Sequence, residues 1–326
     1  MADIWVFAEQ TDGRIAEVVF ELLGKAQELK AQRGGDCRVA AVLLSGKDCA
    51  IDTKALSAAG ADVVYWVEHD SLAAYDADAY VDAVAQLARK HSPEVILAGA
   101  TSIGRAFFAK VAVRLRTGLT ADCTALEIKD GLLHQTRPAF GGNIMATIMT
   151  PDNRPQMSTV RPKVFKRKGE RVKGEGGGEI IREILELIAP RTRIIGVNRD
   201  PNAIDIAAAE VLVAGGRGLK NALNFVRLHE LAGLLGGEVA CSRAAVDAGW
   251  MPPSRQVGQT GKAVAPKLYL CFGISGAIQH LEGIRGADKV IAVNNDPNAP
   301  IFGVANLGIV GDAMEVIEAL IKELSK

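Results

Sequence analysis

Apolar residues in the first hundred positions alternate between short continuous runs and longer segments with helical spacing. The short runs IWVFAE, RVAAVLLSG, DVVYWVE and EVILAGAT have the length and the β-branched content of buried strands. Between them, AEVVFELLGKAQELKAQ and AYVDAVAQLARKH place their apolar residues at helical intervals. Because strands that alternate with helices usually form a parallel sheet with helices on both faces, the pattern predicts a doubly wound, nucleotide-binding-like α/β domain.

The pattern changes after about residue 121. The segment TALEIKDGLLHQTRPAFGGNIMATIMT predicts two antiparallel strands around a turn at Asp130 and Gly131, which is a β-hairpin extension of the first domain. The following segment 163–178, KVFKRKGERVKGEGGG, is basic and Gly-rich and has almost no apolar periodicity. This composition predicts a flexible surface segment.

Strand and helix patterns resume near residue 200. The predicted elements are the strands EVLVAGG, GEVACSR, KLYLCFG, KVIAVNN and LGIVGD and the helices NFVRLHELAGLL and AMEVIEALIKEL. A chain of 326 residues is expected to form about two domains. We therefore predict an N-terminal α/β domain at 1–199 and a second doubly wound domain with a mainly parallel sheet at 200–326.

Polar residues and glycines follow each predicted strand of the second domain. They are Gly215, Gly216, Arg217 and Gly218 after the first strand, then Ser242 and Arg243, then Gly273, Ser275 and Gly276, then Asn294 and Asn295, and finally Asp312. In open α/β sheets, ligands bind beyond the carboxyl ends of the strands. A single such Gly, Ser or Asp can also be only a turn residue or a helix cap. Five coincident strand ends favour a ligand site.

Known phosphate and nucleophile motifs match this region only in part. In QVGQTGK, Gln256 replaces the first glycine of a Walker A motif and Ala263 replaces its Ser or Thr. GGRGLK lacks the third glycine of the dinucleotide fingerprint, and GISGA has Ala277 where a nucleophile elbow needs glycine. A Ser275 and His280 pair also has no acidic partner nearby in sequence, which disfavours hydrolase chemistry.

Charge and cysteine content narrow the possible partners. The 38 basic residues equal the 38 acidic residues, so no net field favours nucleic acid or an anionic membrane. The five cysteines have neither metal-ligand spacing nor the clustering of an iron–sulfur site, so we expect reduced thiols and no metal. The chain opens directly into an apolar run, and no apolar stretch approaches the length of a membrane span. A prokaryotic cytoplasmic protein without membrane insertion is expected.

Several segments closely resemble a known family. SRAAVDAGW, QVGQTGK, GISGAIQHLEG, IAVNNDPNAPIF and GIVGD, in this order, resemble the FAD-binding domain of the electron transfer flavoprotein alpha-subunit family. TGLTADCT, TRPAFGGN and RPQMSTVRP are similar to the amino-terminal domain of the same family. The resemblance implies one FAD on this chain and covers nearly its whole length.

The resemblance also implies roles for individual residues. Thr260 is expected at the flavin N5 atom, Arg243 against the isoalloxazine ring, and His280 at the flavin C2 carbonyl. The backbone NH groups of Ser275 to Ile278, at the start of a helix Gly276–Leu281, are expected to hold phosphate. Further cofactor contacts implied by the family are Arg217, Ser242, Val257, Gly258, Gln259, Gly276, Ala277, Gln279, Asn294, Asp312 and Ala313.

The family resemblance further implies the partners. The chain is expected to form a heterodimer with a beta subunit that holds a second FAD or an AMP. It is then an electron carrier and not a stand-alone enzyme, and it passes electrons from acyl-CoA or other flavin dehydrogenases to a quinone-linked acceptor. In a bifurcating form, NADH is the donor and ferredoxin is one acceptor. DAGWMPPSRQ and RPQMSTVRP are similar to sequences from bifurcating anaerobes.

Two other functions stay open at this point. The second domain can be an NAD-binding deacylase or transferase in which Asn294 and His280 act chemically. The chain can also be a non-redox adenine-nucleotide sensor, although no Gly-rich phosphate loop follows a strand of the first domain.

Overall fold

The computed structural model describes residues 3–139, 144–167, 178–189, 191–192, 194–195, 205–207 and 209–326. The chain divides into two compact units, Met1–Gly196 and Val197–Lys326. Each unit contains a parallel sheet with helices, which confirms the predicted α/β class.

The first unit is built on a seven-stranded sheet in which all pairs are parallel. The strands of this unit are β1 (Ile4–Ala8), β2 (Gln10–Thr11), β3 (Arg14–Ile15), β4 (Val39–Ser45), β5 (Val63–Glu68), β6 (Val95–Gly99), β7 (Leu119–Cys123), β8 (Ala125–Lys129), β9 (Leu132–Ala139), β10 (Ile144–Ile148), β11 (Gln156–Val160) and β12 (Glu179–Glu183). The order in the main sheet is β12-β5-β4-β1-β6-β11-β7, while β2 and β3 form a small separate hairpin.

Helices cover both faces of the first sheet. They are α1 (Glu17–Arg33), α2 (Thr53–Ala58), α3 (Ala77–His91) and α4 (Ser102–Leu115). Because successive side chains of a strand point to opposite faces, β1 contributes to two cores. Ile4 and Val6 pack with residues of α1, whereas Trp5 and Phe7 pack with residues of α3 and α4.

The first unit contains strands that the sequence pattern did not indicate. The predicted hairpin around Asp130 and Gly131 is present as β8 and β9, but β10 adds a third antiparallel strand. The strands β7, β11 and β12 also extend the main sheet. Their apolar signal is weak because β11 carries buried polar side chains and β12 lies at an edge of the sheet. Of the predicted flexible segment 163–178, residues 168–177 lie outside the described part of the chain.

The second unit has a five-stranded parallel sheet in the order β14-β13-β15-β16-β17. Its strands are β13 (Val211–Gly215), β14 (Glu238–Cys241), β15 (Leu268–Phe272), β16 (Val290–Asn294) and β17 (Leu307–Val310). Its helices are α5 (Asn224–Leu234), α6 (Arg243–Asp247), α7 (Ile278–Ile284) and α8 (Ala313–Leu324). Two apolar clusters cover the two faces of the sheet, and one of them includes α5 and α8.

One helix boundary differs from the prediction. The helix expected at Gly276–Leu281 begins at Ile278 and ends at Ile284. Gly276 has a φ of +85°, which lies in the left-handed region and outside helical geometry. The residues between β15 and α7 therefore form a loop whose backbone is not helical.

Candidate functional site

A cavity of about 650 Å³ lies at the carboxyl ends of the strands of the second unit. This volume is typical of small-molecule sites, which span about 300–1,000 Å³. Thirteen of the sixteen residues predicted to bind the cofactor line it: Arg217, Ser242, Arg243, Val257, Gly258, Gln259, Thr260, Ser275, Gly276, Ala277, Gln279, His280 and Asn294. The sheet therefore brings residues that are distant in sequence to one edge, as the strand-end pattern predicted.

Two glycine loops come into close contact beside the cavity. Gly273, which follows β15, has a φ of +62°, and a Cβ placed on it would lie 2.7 Å from Cα of Gly218. The backbone N–H of Gly218 donates to the carbonyl of Gly273 at 3.0 Å. Only residues without side chains allow this approach. The glycines after β13 and β15 thus fix the cavity wall.

The loop from Gln256 to Lys262 is held mainly by backbone hydrogen bonds. The N–H of Lys262 donates to the carbonyl of Gln256 at 2.8 Å, and the N–H of Gln259 donates to the carbonyl of Gln279 at 2.8 Å. The first bond closes the loop, and the second joins it to α7. The loop is thereby a defined wall of the cavity.

His280 is the most buried titratable side chain at the cavity. It is only 6% exposed, and burial lowers the pKa of its imidazole to about 4. The nearby carbonyl of Val257 acts against this decrease. Because an imidazole with this pKa is neutral at pH 7, His280 offers one hydrogen-bond donor and one acceptor and no charge.

The hydrogen bonds of His280 indicate which ring nitrogen carries the hydrogen. Nε2 lies 2.9 Å from the hydroxyl of Tyr269, while Nδ1 is buried, and its nearest acceptor is the carbonyl of Val257, whose geometry falls short of a full hydrogen bond. If Nε2 donated, the hydroxyl hydrogen of Tyr269 and the lone pair of Nδ1 would both be left unbonded. If Tyr269 donates, the N–H at Nδ1 is left to an acceptor, and the carbonyl of Val257 lies close to the ring. The hydrogen-bond count favours the second arrangement.

Thr260 and Arg243 differ in how strongly other residues of the chain already bind them. The hydroxyl of Thr260 accepts a hydrogen bond from Nε2 of Gln256 at 3.0 Å. The side chain of Arg243 is 68% exposed and lies 3.5 Å from the carboxylate of Asp247. A contact of this length at such exposure is weak. Arg243 therefore stays available to a ligand in the cavity.

Asn294 and Asp312 have roles within the fold. The buried amide of Asn294 donates to the carbonyl of Ile274 at 3.0 Å, and its oxygen accepts from the N–H of Asp296 at 3.0 Å. Asp312 caps α8 by accepting from the N–H of Met314, and this bond, followed by Lys220, lowers the pKa of its carboxyl. Asn294 lines the cavity and holds the loop after β15.

Three predicted contacts lie outside the cavity lining. They are Ile278, Asp312 and Ala313. Eight lining residues were not among the predicted cofactor contacts: Gly218, Ala244, Asp247, Gln256, Gly273, Ile274, Asp296 and Ala299. Gly218 and Gly273 were recognisable from their places at strand ends. Gln256 was recognisable from the QVGQTGK segment, and the others became apparent only from the packing of the loops.

Lys262, Cys241 and Cys271 are not among the residues that line the cavity. Lys262 pairs with Asp205 at 3.0 Å, and the thiols of Cys241 and Cys271 are buried, which raises the pKa of each to about 12. Across the residues that the structure describes, no group of three metal-ligating side chains occurs. No described helix is both long and apolar enough to cross a lipid bilayer.

The residues at this cavity fit a ligand with several hydrogen-bond acceptors and negative charge. The imidazole of His280, the hydroxyl of Thr260 and the cation of Arg243 all line the cavity and can act as donors. FAD has both phosphates and a flavin ring rich in acceptors, so its chemistry matches this donor set.

A larger groove of about 850 Å³ lies on the first unit. Its lining is Asp78, Val81, Ala88, Arg89, Ser92, Pro93, Lys110, Val113, Arg114, Leu115, Arg116, Arg154 and Pro155. Part of its charge is paired within the chain, since Nε of Arg154 lies 2.5 Å from Glu94. None of the side chains that line it has a buried polar atom without a partner among the described residues. This groove contains none of the predicted site residues.

Comparison with known proteins connects both units to one family. Residues 4–184 match the electron transfer flavoprotein domain, and residues 205–285 match the electron transfer flavoprotein FAD-binding domain. The electron transfer flavoprotein subunit alpha of Thermoanaerobacterium thermosaccharolyticum is 48% identical, over 99% of this chain and 98% of that protein. Protein FixB of Clostridium saccharobutylicum is 44% identical, over 98% and 95%. The acryloyl-CoA reductase electron transfer subunit beta of Anaerotignum propionicum is 39% identical, over 99% and 96%.

Proposed function

Because the chain belongs to the electron transfer flavoprotein alpha-subunit family, we propose that it carries one FAD in the cavity of its second unit and works as half of a heterodimeric electron carrier. The observation that carries the proposal is the cavity at the strand ends, where the imidazole of His280, the hydroxyl of Thr260 and the cation of Arg243 come together. The match of residues 205–285 to a FAD-binding domain supports flavin over the nicotinamide and nucleotide-sensor alternatives.

The proposal gives each cavity wall a part of the cofactor. The flavin ring is held by three side chains. Thr260 contacts N5, Arg243 lies against the ring, and His280 contacts the C2 carbonyl. The backbone of Ser275 to Ile278 holds phosphate, with Arg217 and Ser242 as further contacts. Asn294 and Asp312 face the adenosine end. This assignment needs a ligand long enough to extend from the cavity to α8, where Asp312 and Ala313 begin the helix.

FAD supplies the one- and two-electron chemistry, so the residues of this chain only bind and tune it. A neutral His280 donates a hydrogen bond where a reduced flavin gathers negative charge. The guanidinium of Arg243 adds a positive charge that favours the reduced flavin and raises its potential. Tyr269, which is fully buried, keeps the imidazole of His280 in place.

The proposal includes partners that must lie outside this chain. A beta subunit completes the heterodimer and packs on the N-terminal domain 1–199. Flavin dehydrogenases of the acyl-CoA type supply electrons, and a quinone-linked acceptor receives them. The name of the Anaerotignum propionicum relative connects that protein to an acyl-CoA reductase.

A second mode within the same proposal is NADH-dependent bifurcation. In that mode, the beta subunit holds a second FAD, oxidises NADH there, and divides the electrons between ferredoxin and an acyl-CoA acceptor. The segments DAGWMPPSRQ and RPQMSTVRP, which are similar to sequences of bifurcating anaerobes, favour it.

The test is a visible spectrum during stepwise reduction of this chain co-expressed with its beta subunit. We expect flavin absorbance with at least one FAD per heterodimer, and a His280→Gln variant that binds this FAD more weakly. The matched control is His229→Gln, because His229 lies on α5 and outside the cavity.

Each outcome of this experiment has a distinct meaning. One FAD that is reduced by a dehydrogenase supports the simple shuttle, and two FADs with one reducible by NADH support bifurcation. A colourless heterodimer that takes up no added FAD contradicts the proposed function in both modes.

A further inference from the structure

Gln256 and Thr260 are neighbours in the cavity wall. Its side chain is largely buried, with 8% of the residue exposed, whereas Thr260 is exposed at the cavity. The amide Nε2 of Gln256 donates to Oγ1 of Thr260 at 3.0 Å. A largely buried amide thus contacts the exposed hydroxyl within the cavity wall.

This hydrogen bond restricts the direction of the Thr260 hydroxyl. A hydroxyl oxygen has one hydrogen to donate and two lone pairs that accept. When Nε2 of Gln256 occupies a lone pair, the hydroxyl hydrogen is repelled by the amide hydrogen and points elsewhere. Since Thr260 lines the cavity, its hydrogen is left free for an acceptor there.

We propose that Gln256 is a positioning residue that makes Thr260 a hydrogen-bond donor to the bound flavin. This inference rests on the proposed function, because it takes FAD as the ligand of the cavity. Gln256 acts through Thr260 and not by touching the reacting part of the flavin. If the Thr260 hydroxyl already points toward the flavin acceptor before FAD binds, less free energy is spent on reorienting it during binding.

The backbone of the loop does not depend on the Gln256 side chain. The N–H of Lys262 donates to the carbonyl of Gln256, and the N–H of Gly261 donates to the carbonyl of Gly258 at 3.0 Å. A Cβ on Gly261 would lie 2.4 Å from the carbonyl oxygen of Gln256, so the two ends of the loop are tightly packed. Replacing the amide of Gln256 therefore removes one side-chain contact and leaves the loop closed.

The test is a double-mutant cycle with Gln256→Met and Thr260→Val in the heterodimer with the beta subunit. Methionine keeps the length of glutamine without its amide, and valine keeps the shape of threonine without its hydroxyl. FAD is removed and titrated back while flavin fluorescence is followed, and the position of the flavin absorption band is recorded. We expect Gln256→Met to weaken FAD binding about fivefold, which is the size of one hydrogen bond.

The cycle separates a positioning role from a structural one. In the Thr260→Val background, Gln256→Met is expected to change neither the affinity nor the band position. Thr260→Ser, which keeps the hydroxyl, is the matched control, and in that background the fivefold effect should return. Equal effects of Gln256→Met in all three backgrounds would show that Gln256 only supports the loop, and would overturn the inference.

The outcomes also distinguish this inference from the proposed function. If the unsubstituted heterodimer binds no FAD at this cavity, the proposed function fails and the inference fails with it. If FAD binds and Thr260→Val weakens it while Gln256→Met does not, only the inference fails. The thermal unfolding of each variant without FAD serves as the check on folding.

Discussion

The two units share an architecture but differ at the carboxyl ends of their strands. In the first unit, polar side chains near the strand ends bond to one another: the hydroxyl of Thr101 donates to Glu9 at 2.5 Å, and Nε1 of Trp66 donates to Ser45 at 2.8 Å. In the second unit, the corresponding edge opens into a cavity lined by Thr260, Arg243 and His280.

This difference lies in the open space at the strand ends, because buried polar atoms without a partner among the described residues also occur in the first unit, for example at Tyr75 and Thr124. Both sheets bring strand ends to one edge, so the fold alone does not decide whether a ligand binds. In the two pairs named for the first unit, each donor has an acceptor within the chain. Burial raises the pKa of Glu9, and the hydrogen bond from Thr101 partly opposes this increase. In the second unit, glycine loops keep space open and leave donors for a ligand.

The largest expected effect comes from filling that space. In Gly276→Val, the added Cβ would lie 2.3 Å from the backbone nitrogen of Ile301, and the φ of +85° would also be strained. We expect loss of FAD binding and a decrease of about 3 kcal/mol or more in the free energy of unfolding. Isothermal FAD titration and urea unfolding measure the two effects.

Gly249→Val is the matched control for that substitution. Gly249 lies in the same unit with a φ of +73°, but no atom lies within 4 Å of an added Cβ. Only the backbone strain of about 1–2 kcal/mol is then expected, with FAD binding retained. Equal losses in both variants would mean that the cavity does not depend on the close contact at Gly276.

The second effect concerns acid stability. The pKa of His280 falls from 6.5 to about 4 in the folded chain because of burial. Between pH 4 and pH 6.5 the unfolded chain binds one more proton than the folded chain. The contribution of His280 to the free energy of unfolding is therefore complete above pH 6.5 and is lost as the pH falls toward 4. The loss is about 3 kcal/mol at most. His280→Gln, followed by urea unfolding at pH 4 to 7, should remove this part of the pH dependence.

The first unit should show the opposite sign. Burial raises the pKa of Glu21 from 4.5 to about 7, even though its carboxylate accepts from the N–H of Lys163 at 2.8 Å. Between pH 4.5 and pH 7 the folded chain binds one more proton than the unfolded chain. The contribution of Glu21 to the free energy of unfolding is therefore complete below pH 4.5 and is lost as the pH rises through 7. Glu21→Gln should raise the free energy of unfolding at pH 8, by about 3 kcal/mol at most, and by little at pH 4.

The two variants are expected to change the pH dependence of unfolding in opposite directions. If His280→Gln and Glu21→Gln changed the pH dependence in the same direction, the two buried groups would not be held in opposite protonation states. Unfolding should be followed with probes in each unit, because two units need not unfold in one step.

The second unit was easier to predict from sequence than the first. Its strands are apolar runs, and each ends at Gly, Ser, Arg, Asn or Asp, so the edge with the cavity followed from one rule about parallel sheets. In the first unit, β11 has the sequence QMSTV, in which Gln156 and Ser158 are buried but bonded to Leu133 and Gln135. Such a strand has no apolar signal, because its partners lie more than twenty residues away.

Side-chain partners at the cavity were also beyond the sequence pattern. The spacing of QVGQTGK did not indicate that Gln256 donates to Thr260, since the contact depends on how the loop closes. The bond of Tyr269 to His280 joins a strand to a helix eleven residues later. The helix start at Ile278 was missed because the left-handed Gly276 delays it.

The smallest expected effect comes from Arg243, because its side chain is 68% exposed and solvent screens its charge. Arg243→Gln removes a positive charge from the cavity wall, so the reduced flavin is stabilised less and its two-electron potential should fall. A decrease of about 30 mV corresponds to a tenfold change in the ratio of the two forms. The matched control is Arg227→Gln, since Arg227 pairs with Glu318 and does not line the cavity. A redox titration in which both variants match the unsubstituted protein would exclude Arg243 as a tuning residue, and the cavity would then act on the flavin through its neutral donors alone.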